Sequence, residues 1–539
     1  MGYYLHDDVK IEPLVGRWYA HPFLIAPASA AFMTRHHIQI MESFVQHPEL
    51  HAAALQQPSM RGGPFLESSN GADDVGEIRR LLEFTRLSRA ELLRLAAEID
   101  DLQGMLRATT GASLDGTYPK LGAGLGGRVE LAYETSGLRG RARLIEALLY
   151  AAFPPETHQE FALARVDSDA RPYVLSTPRL ASEGDLILRM PFGSSESAAL
   201  LASRQRPLSD EDLERFFHMQ GTGSSWTRAQ INDLFRASPD LPSRPAADDG
   251  PRIDYFGHAC VLIRTGRASV LIDPLVGYNV AEGPARSTWR DLPAQIDCAL
   301  ITHAHHDHYV IETLLQIRER TKTLVVPRST PGAIHDPSLE LVSRHLGFGD
   351  VLAPNPFDAL EFDGVKIQTL PFLGEHGELD ITSKLGYRLE FAGQSVVFLA
   401  DSNNLDTRMY QQIRDLYGPT DIAFIGLECQ GAPISWTYGP LLFGSVSREM
   451  EPGRRTGGSN AERALQLVRA LGCKRVFIYA MAIEPWAGPL GGSPIEKDSY
   501  QDMENQAFIR DCRALGIEVE LLDGSKSIAL DGERRMPAV

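Results

Sequence analysis

The chain has 539 residues, 43% of them hydrophobic and 23% charged, which is apolar material for two or three cores and too much for a disordered polymer. Its 53 basic and 70 acidic side chains leave a net charge of −17, so phosphate backbones are repelled and a nucleic-acid partner is disfavoured. Five scattered cysteines form no CxxC pair, which argues against both a disulfide framework and a thiolate zinc site.

The amino terminus, MGYYLHDDVKIEPL, has no basic stretch followed by an apolar run and so does not read as a signal peptide. No apolar run approaches the ~20 residues of a membrane span, and the expectation is a soluble, cytoplasmic protein without a membrane partner. Residues 75–107 carry apolar side chains at three- and four-residue steps and predict helix, broken near Ser88, which would cap a second one. Residues 141–153 and 225–237 also read as helical, and 171–176 and 185–190 as short strands. The scattered histidines here, including His36 and His37, read as packing or surface residues. The stretch 237–250, ASPDLPSRPAADDG, has no hydrophobic period and predicts a linker. It divides an α+β domain, 1–240, from a second domain, 251–535.

Beyond residue 250, β-rich runs at 252–256, 260–264, 268–272, 298–302, 323–326, 365–370, 385–391, 395–399, 422–426 and 475–479 alternate with helical patterns at 309–320, 405–417, 460–471 and 500–515. Such alternation predicts a layered α/β architecture.

The segment DCALITHAHHDHYV places a histidine-rich cluster directly after an apolar run of strand length, where α/β folds put their chemistry. In the pattern HxHxDH, His303 and His305 converge on one metal, while Asp307 and His308 turn to a second. His306 points away. Imidazoles and carboxylates at this density need a cation. Asp401 ends the β-rich run SVVFLAD, where a carboxylate bridges two metals; the competing reading is a cap on the helix that follows. In GEHGE, either Glu375 or His376 completes the first site.

These residues resemble those of the metallo-β-lactamase superfamily, and IDYFGHACVLIRTGRASVLIDP resembles its opening strand pair, with Asp273 closing the second strand. The resemblance implies an αββα sandwich, with His258 and Asp273 orienting the ligands through hydrogen bonds. From about 250 to 530 the segments HAHHDH, FLGEHGELDI, LADSNN, GLECQGAPISWTYGPL and RVFIYAMAIEPW are similar to the diiron β-hydroxylases of the chloramphenicol-biosynthesis type. The amino-terminal IEPLVGRWYAHPFLIAP resembles the extra domain of that family. There an acidic residue takes the place of the usual histidine, which implies Glu375 rather than His376. A further C-terminal histidine is also implied, but the last histidine of this chain is His376. Glu428 and Glu484 stand nearest to that place, and an open coordination position is the alternative.

Carboxylates Asp307, Glu375 and Asp401 beside three histidines suit iron better than zinc, since hard donors stabilise its ferric state, although zinc and manganese are also compatible. The resemblance implies two iron ions, dioxygen, an external reductant and electron donor, and an amino acid held on a nonribosomal peptide synthetase carrier domain, hydroxylated at its β-carbon. The N-terminal domain would serve docking or homodimerisation. The alternative is a dinuclear zinc hydrolase, a lactonase or phosphodiesterase, with a metal-bound hydroxide as nucleophile.

Overall fold

The strands after residue 250 pair into two seven-stranded sheets with a shared apolar core between them. The computed structural model describes residues 2–57, 60, 62–68, 70–180, 185–221, 226–238, 250–447, 449–451 and 454–530. The linker expected at 237–250 falls almost wholly outside the described residues.

The first sheet runs in the order Val351–Leu352, Thr321–Val325, Ile296–Leu300, Ser269–Ile272, Cys260–Arg264, Arg252–Gly257, Lys526–Ala529. The second runs Ala359–Phe362, Val365–Leu370, Gly386–Phe391, Gln394–Phe398, Ile422–Ile425, Arg475–Ile478, Glu518–Leu521. Strand periodicity explains the stacking. Val261, Ile263, Val270 and Ile272 point into the core between the sheets, while Leu262 and Leu271 point to the outer layer. The second sheet meets them with Ile367, Leu389, Val396, Phe398 and Phe424, all buried. Each such side chain contributes about 1.5–3 kcal/mol. Helices Thr407–Tyr417, Ala461–Leu471 and Tyr500–Ala514 cover the outer face of the second sheet. Ile311–Ile317 and Leu339–His345 cover the first. The result is the expected αββα sandwich.

The preceding region is α+β, as expected. Its four-stranded antiparallel sheet, Trp18–Tyr19, Val9–Val15, Gln159–Arg165, Leu186–Arg189, packs with helices Pro27–Gln46, Val75–Ser88 and Ala90–Arg107. One hydrophobic cluster runs unbroken from Leu14, Ile40 and Leu102 to Leu271, Leu314 and Ile317, so the two halves share a core.

Several local expectations need correction. The 75–107 helix does break near Ser88, but Arg89 occupies the cap position and the Ser88 hydroxyl donates to Phe84 O at 2.8 Å. Within 141–153 only Glu146–Ala152 is helical; Gly140–Leu144 pairs with Val129–Tyr133. Segment 171–176 forms no strand; it is held to residues 65–67 through side chains, Glu67 accepting from Tyr173 N and Ser176 donating to Phe65 O. In 225–237 the helix shrinks to Arg228–Asn232, and Phe235–Arg236 pairs with Tyr4–Leu5.

A buried ion network ties the halves together. Glu12 accepts from Arg171 at 3.1 Å and from Arg179 at 2.9 Å, and Arg171 also reaches Glu312, on the helix after the histidine cluster, at 2.7 Å. Burial alone would raise the Glu12 carboxyl, but Lys10, Arg171 and Arg179 hold it at about 2. A pKa depressed on folding contributes stability at neutral pH that is lost as pH falls from about 4.5 towards about 2. Glu12→Ala removes the carboxylate that Arg171 and Arg179 share, leaving them Glu312 and Asp185, and should cost about 1.5–3 kcal/mol. Urea unfolding measures this, and the variant should lack that part of the acid limb of the stability curve.

Candidate metal centre

Strand ends deliver every group of the centre. Asp273 follows Ser269–Ile272, the His303–His308 run follows Ile296–Leu300, Glu375 lies beyond Val365–Leu370, and Asp401 beyond Gln394–Phe398. His258 sits in the hairpin between the first two strands of the sandwich. Four of these residues leave the ordinary backbone region or follow one that does: φ is 50° at His258, 41° at Asp273, 69° at Glu375 and 42° at Ala400. Left-handed backbone at non-glycine residues is costly and is found where the surroundings enforce it.

The side chains form two groups. Ligand atoms of His303, His305, Glu375 and Asp401 lie within 4.8 Å of one another, as do those of His258, Asp307 and His308. Asp401 stands between them, its Oδ2 3.5 Å from His303 Nε2 and 3.1 Å from His308 Nε2. Buried Nε2 of His303 and His308, Oε2 of Glu375 and Oδ1 of Asp401 lack any hydrogen-bond partner. Lone pairs left unsatisfied in one place fit a pair of cations that no protein group replaces.

The opposite nitrogen of each ring is held, which fixes tautomer and direction. His308 Nδ1–H donates to Asp273 at 2.8 Å. His303 Nδ1–H donates to the Thr302 hydroxyl at 3.0 Å, which donates to Asp273 at 2.6 Å. His305 turns Nδ1 to Glu375 at 2.6 Å and donates from Nε2 to the Tyr438 hydroxyl at 2.8 Å. His258 is different. Its Nδ1 accepts from Ala482 N at 3.1 Å, so the proton resides on Nε2, 3.3 Å from Asp307 Oδ2. A ring in that state turns its Nε2–H towards Asp307 and offers no lone pair there for a metal.

Other expected residues lie apart. His306 bonds to Leu490 O at 2.8 Å, away from the centre. His376 is buried beside Glu375 at 2.7 Å but joins neither group. Glu484 accepts from the Tyr255 hydroxyl at 2.6 Å and joins neither group. Glu428 is exposed and joins neither group, its carboxyl pushed up to about 8 by desolvation and by Asp401, Asp307 and Glu375. The helix cap once open to Asp401 belongs to Asp406, which accepts from Arg408 N at 3.0 Å. Thr302 and Tyr438 were not singled out in the sequence; Thr302 adjoins the cluster, but nothing local marks Tyr438.

Burial pushes His308 down, yet Asp401, Asp307 and Asp273 raise it well above the ordinary histidine value. Burial likewise opposes, and His305 and His376 enforce, a depressed pKa at Glu375. Without metal, protons on the rings therefore balance the carboxylates. The N-terminal half walls one side: His21, Phe23 and Tyr173 line a small cavity with His305 and Trp436, and Phe23 meets Tyr438 edge-on at 6.1 Å.

Residues 4–239 match the family model described as diiron non-heme beta-hydroxylase N-terminal domain, and residues 268–479 that of a beta-lactamase superfamily domain. The chain is 33% identical to 4-amino-L-phenylalanyl-[CmlP-peptidyl-carrier-protein] 3-hydroxylase of Streptomyces venezuelae, over 98% of this chain and 100% of that protein. The crystal structure of CmlA, a diiron β-hydroxylase from Streptomyces venezuelae, superposes with a TM-score of 0.90 over the same shares. A metal-dependent hydrolase of Thermococcus onnurineus is 31% identical, over 32% of this chain and 70% of its own.

Glu375→Ala should lose metal by elemental analysis, while His376→Ala keeps most of it; the reverse outcome restores the histidine-rich pattern. Asp273→Asn, which weakens the hold on two rings, should lower metal affinity about 10–100-fold. Because ligation requires His308 Nε2 to lose its proton, metal binding should release protons and strengthen as pH rises, measured by calorimetry in buffers of different ionisation heat.

Proposed function

The chain belongs to the diiron non-heme β-hydroxylase family, and from that premise we propose that it hydroxylates the β-carbon of an aminoacyl thioester carried on a peptidyl carrier domain. The observation that carries this reading is the match over the whole length, N-terminal region included, to a hydroxylase acting on a carrier-bound amino acid. The hydrolase relative reaches only a third of the chain. That favours the oxygenase over a zinc hydrolase.

We assign His303, His305 and Glu375 to one iron, Asp307 and His308 to the other, and Asp401 to the bridge. Two irons held there supply the redox chemistry that activates dioxygen. The protein's contribution is to hold the ligands, close the centre from water and align the β-carbon. Asp273, Thr302 and Tyr438 keep the ring directions; His258 holds Asp307. One oxygen atom enters the C–H bond and the other leaves as water, so an external donor must bring a pair of electrons with protons. No histidine replaces the C-terminal one implied by the resemblance, and Glu428, whose carboxyl feels Asp401, Asp307 and Glu375, is the carboxylate that would stand in for it.

We place the domain boundary in the 240–250 region, with residues 1–240 docking the carrier or a second copy and 251–535 holding the metals, and the enzyme in the cytoplasm with its carrier. All five cysteines are free thiols, and among the described residues no helix is long and apolar enough to cross a membrane.

The test is incubation of reduced, iron-loaded enzyme with labelled dioxygen and an aminoacyl carrier, followed by intact-mass measurement. One labelled oxygen atom should appear on the carrier, with little reaction of the free amino acid, because carrier binding energy aligns the reacting carbon. Release of the aminoacyl group by water, without oxygen uptake, would establish hydrolysis instead.

A further inference from the structure

The turn that presents Glu375 is gripped at both ends by cations. Gly374, Glu375, Gly377 and Glu378 have φ of 78°, 69°, 55° and 58°. For the two glutamates that backbone is strained, and it persists only where neighbours hold it. No strand ladder does so, because residues 374–378 belong to neither sheet. Charged donors take two of its carbonyls instead. Lys384 Nζ donates to Gly374 O at 3.3 Å, and Arg454 donates to Gly377 O from Nε at 3.1 Å and from Nη2 at 2.7 Å. Both side chains are half-buried. Lys384 makes no other side-chain hydrogen bond among the described residues, and Arg454 has only the exposed Glu378 nearby, at 3.9 Å.

Each cation also reaches a second part of the centre. Lys384 pairs with His303 across an isolated antiparallel bridge, and the next residue, Leu385, donates its N–H to Thr302 O at 2.7 Å. The ammonium lies 5.8 Å from the centre of the Phe372 ring, which meets His303 edge-on at 5.7 Å. Arg454 O accepts from Ile434 N at 3.2 Å, where helix Ile434–Thr437 begins. That helix leads directly to Tyr438, the partner of His305. Lys384 thus spans from the histidine loop to the glutamate turn, and Arg454 from the turn to the Tyr438 loop. Hydrogen bonds from charged donors are the strong ones, and they fix the spacing of the elements they join.

We propose that Lys384 and Arg454 are positioning residues: they clamp the 374–378 turn and so aim Glu375 at the metal it shares with His303 and His305. The inference rests on Glu375 being a ligand, as assigned above. Partners that orient a ligand without touching the metal set affinity by about 10–100-fold.

The test measures the affinity of the full-length, metal-free protein for Fe(II) and Co(II) by chelator competition. The absorption spectrum at saturating cobalt reports the number of ligands. Lys384→Met and Arg454→Met should each lower affinity about tenfold, and the double variant about a hundredfold. Their cobalt spectra should move towards that of Glu375→Ala, which a general loss of packing does not produce. Lys384→Arg keeps a charged donor and should recover part of the affinity. Arg454→Lys keeps one of two bonds and should fall between wild type and Arg454→Met. Thermal unfolding of the metal-free variants separates aim from stability. Wild-type affinity and spectrum in the double variant would overturn the proposal. So would an affinity loss with an unchanged cobalt spectrum, or one that the charge-keeping variants do not relieve. Should Glu375→Ala bind metal as tightly as wild type, the ligand assignment falls and the clamp with it. Should Glu375→Ala lose metal while the clamp variants keep it, the clamp alone falls.

Discussion

The metal centre depends on one buried carboxylate. Asp273 is fully withdrawn from solvent, and its two oxygens take the Thr302 amide at 2.7 Å, the Thr302 hydroxyl at 2.6 Å and His308 Nδ1 at 2.8 Å. Through the hydroxyl it also sets His303. A charge in such a place is tolerated because three hydrogen bonds compensate it, so the strand that carries it and the loop that carries the histidines are locked in register. The aim of two imidazoles thus follows from one side chain that touches no metal.

Carboxylates decide the chemistry. Asp307, Glu375 and Asp401 set three carboxylates beside His303, His305 and His308, and such a set would stabilise iron in its oxidised state better than a histidine-rich one. Glu375 earns its position through backbone geometry: it sits at φ 69° behind Gly374, where a Cβ would fall 2.4 Å from that of Asn403. His376, next in sequence, packs its ring 4.6 Å from that of His305 yet belongs to neither ligand group.

Much of this was readable in advance because the sandwich is built from short, continuously apolar strands buried on both faces, and because HxHxDH gathers four of its candidate ligands in one loop. What was hidden had physical reasons. Helix Pro27–Gln46 begins with a run, Pro27–Thr34, that is buried all round, so no polar stripe reveals its period. Gly140–Leu144 was mistaken for helix because two arginines at alternate positions look the same in a strand edge as on a helix face. His258 was expected to orient ligands, and its bond from Ala482 N, unforeseeable without the fold, supplies the reason. Tyr438 reaches His305 across 133 residues, a separation no local pattern encodes.

The strand Lys526–Ala529 pairs with Arg252–Gly257, the strand that ends at His258. During synthesis the ligands up to Asp401 leave the ribosome on the order of ten seconds before that last strand, at about 5–20 residues per second. A metal caught by the histidine loop in that interval would be chosen on raw affinity alone, which among divalent ions does not favour iron. Discrimination among cellular metals would then fall to the finished sheet.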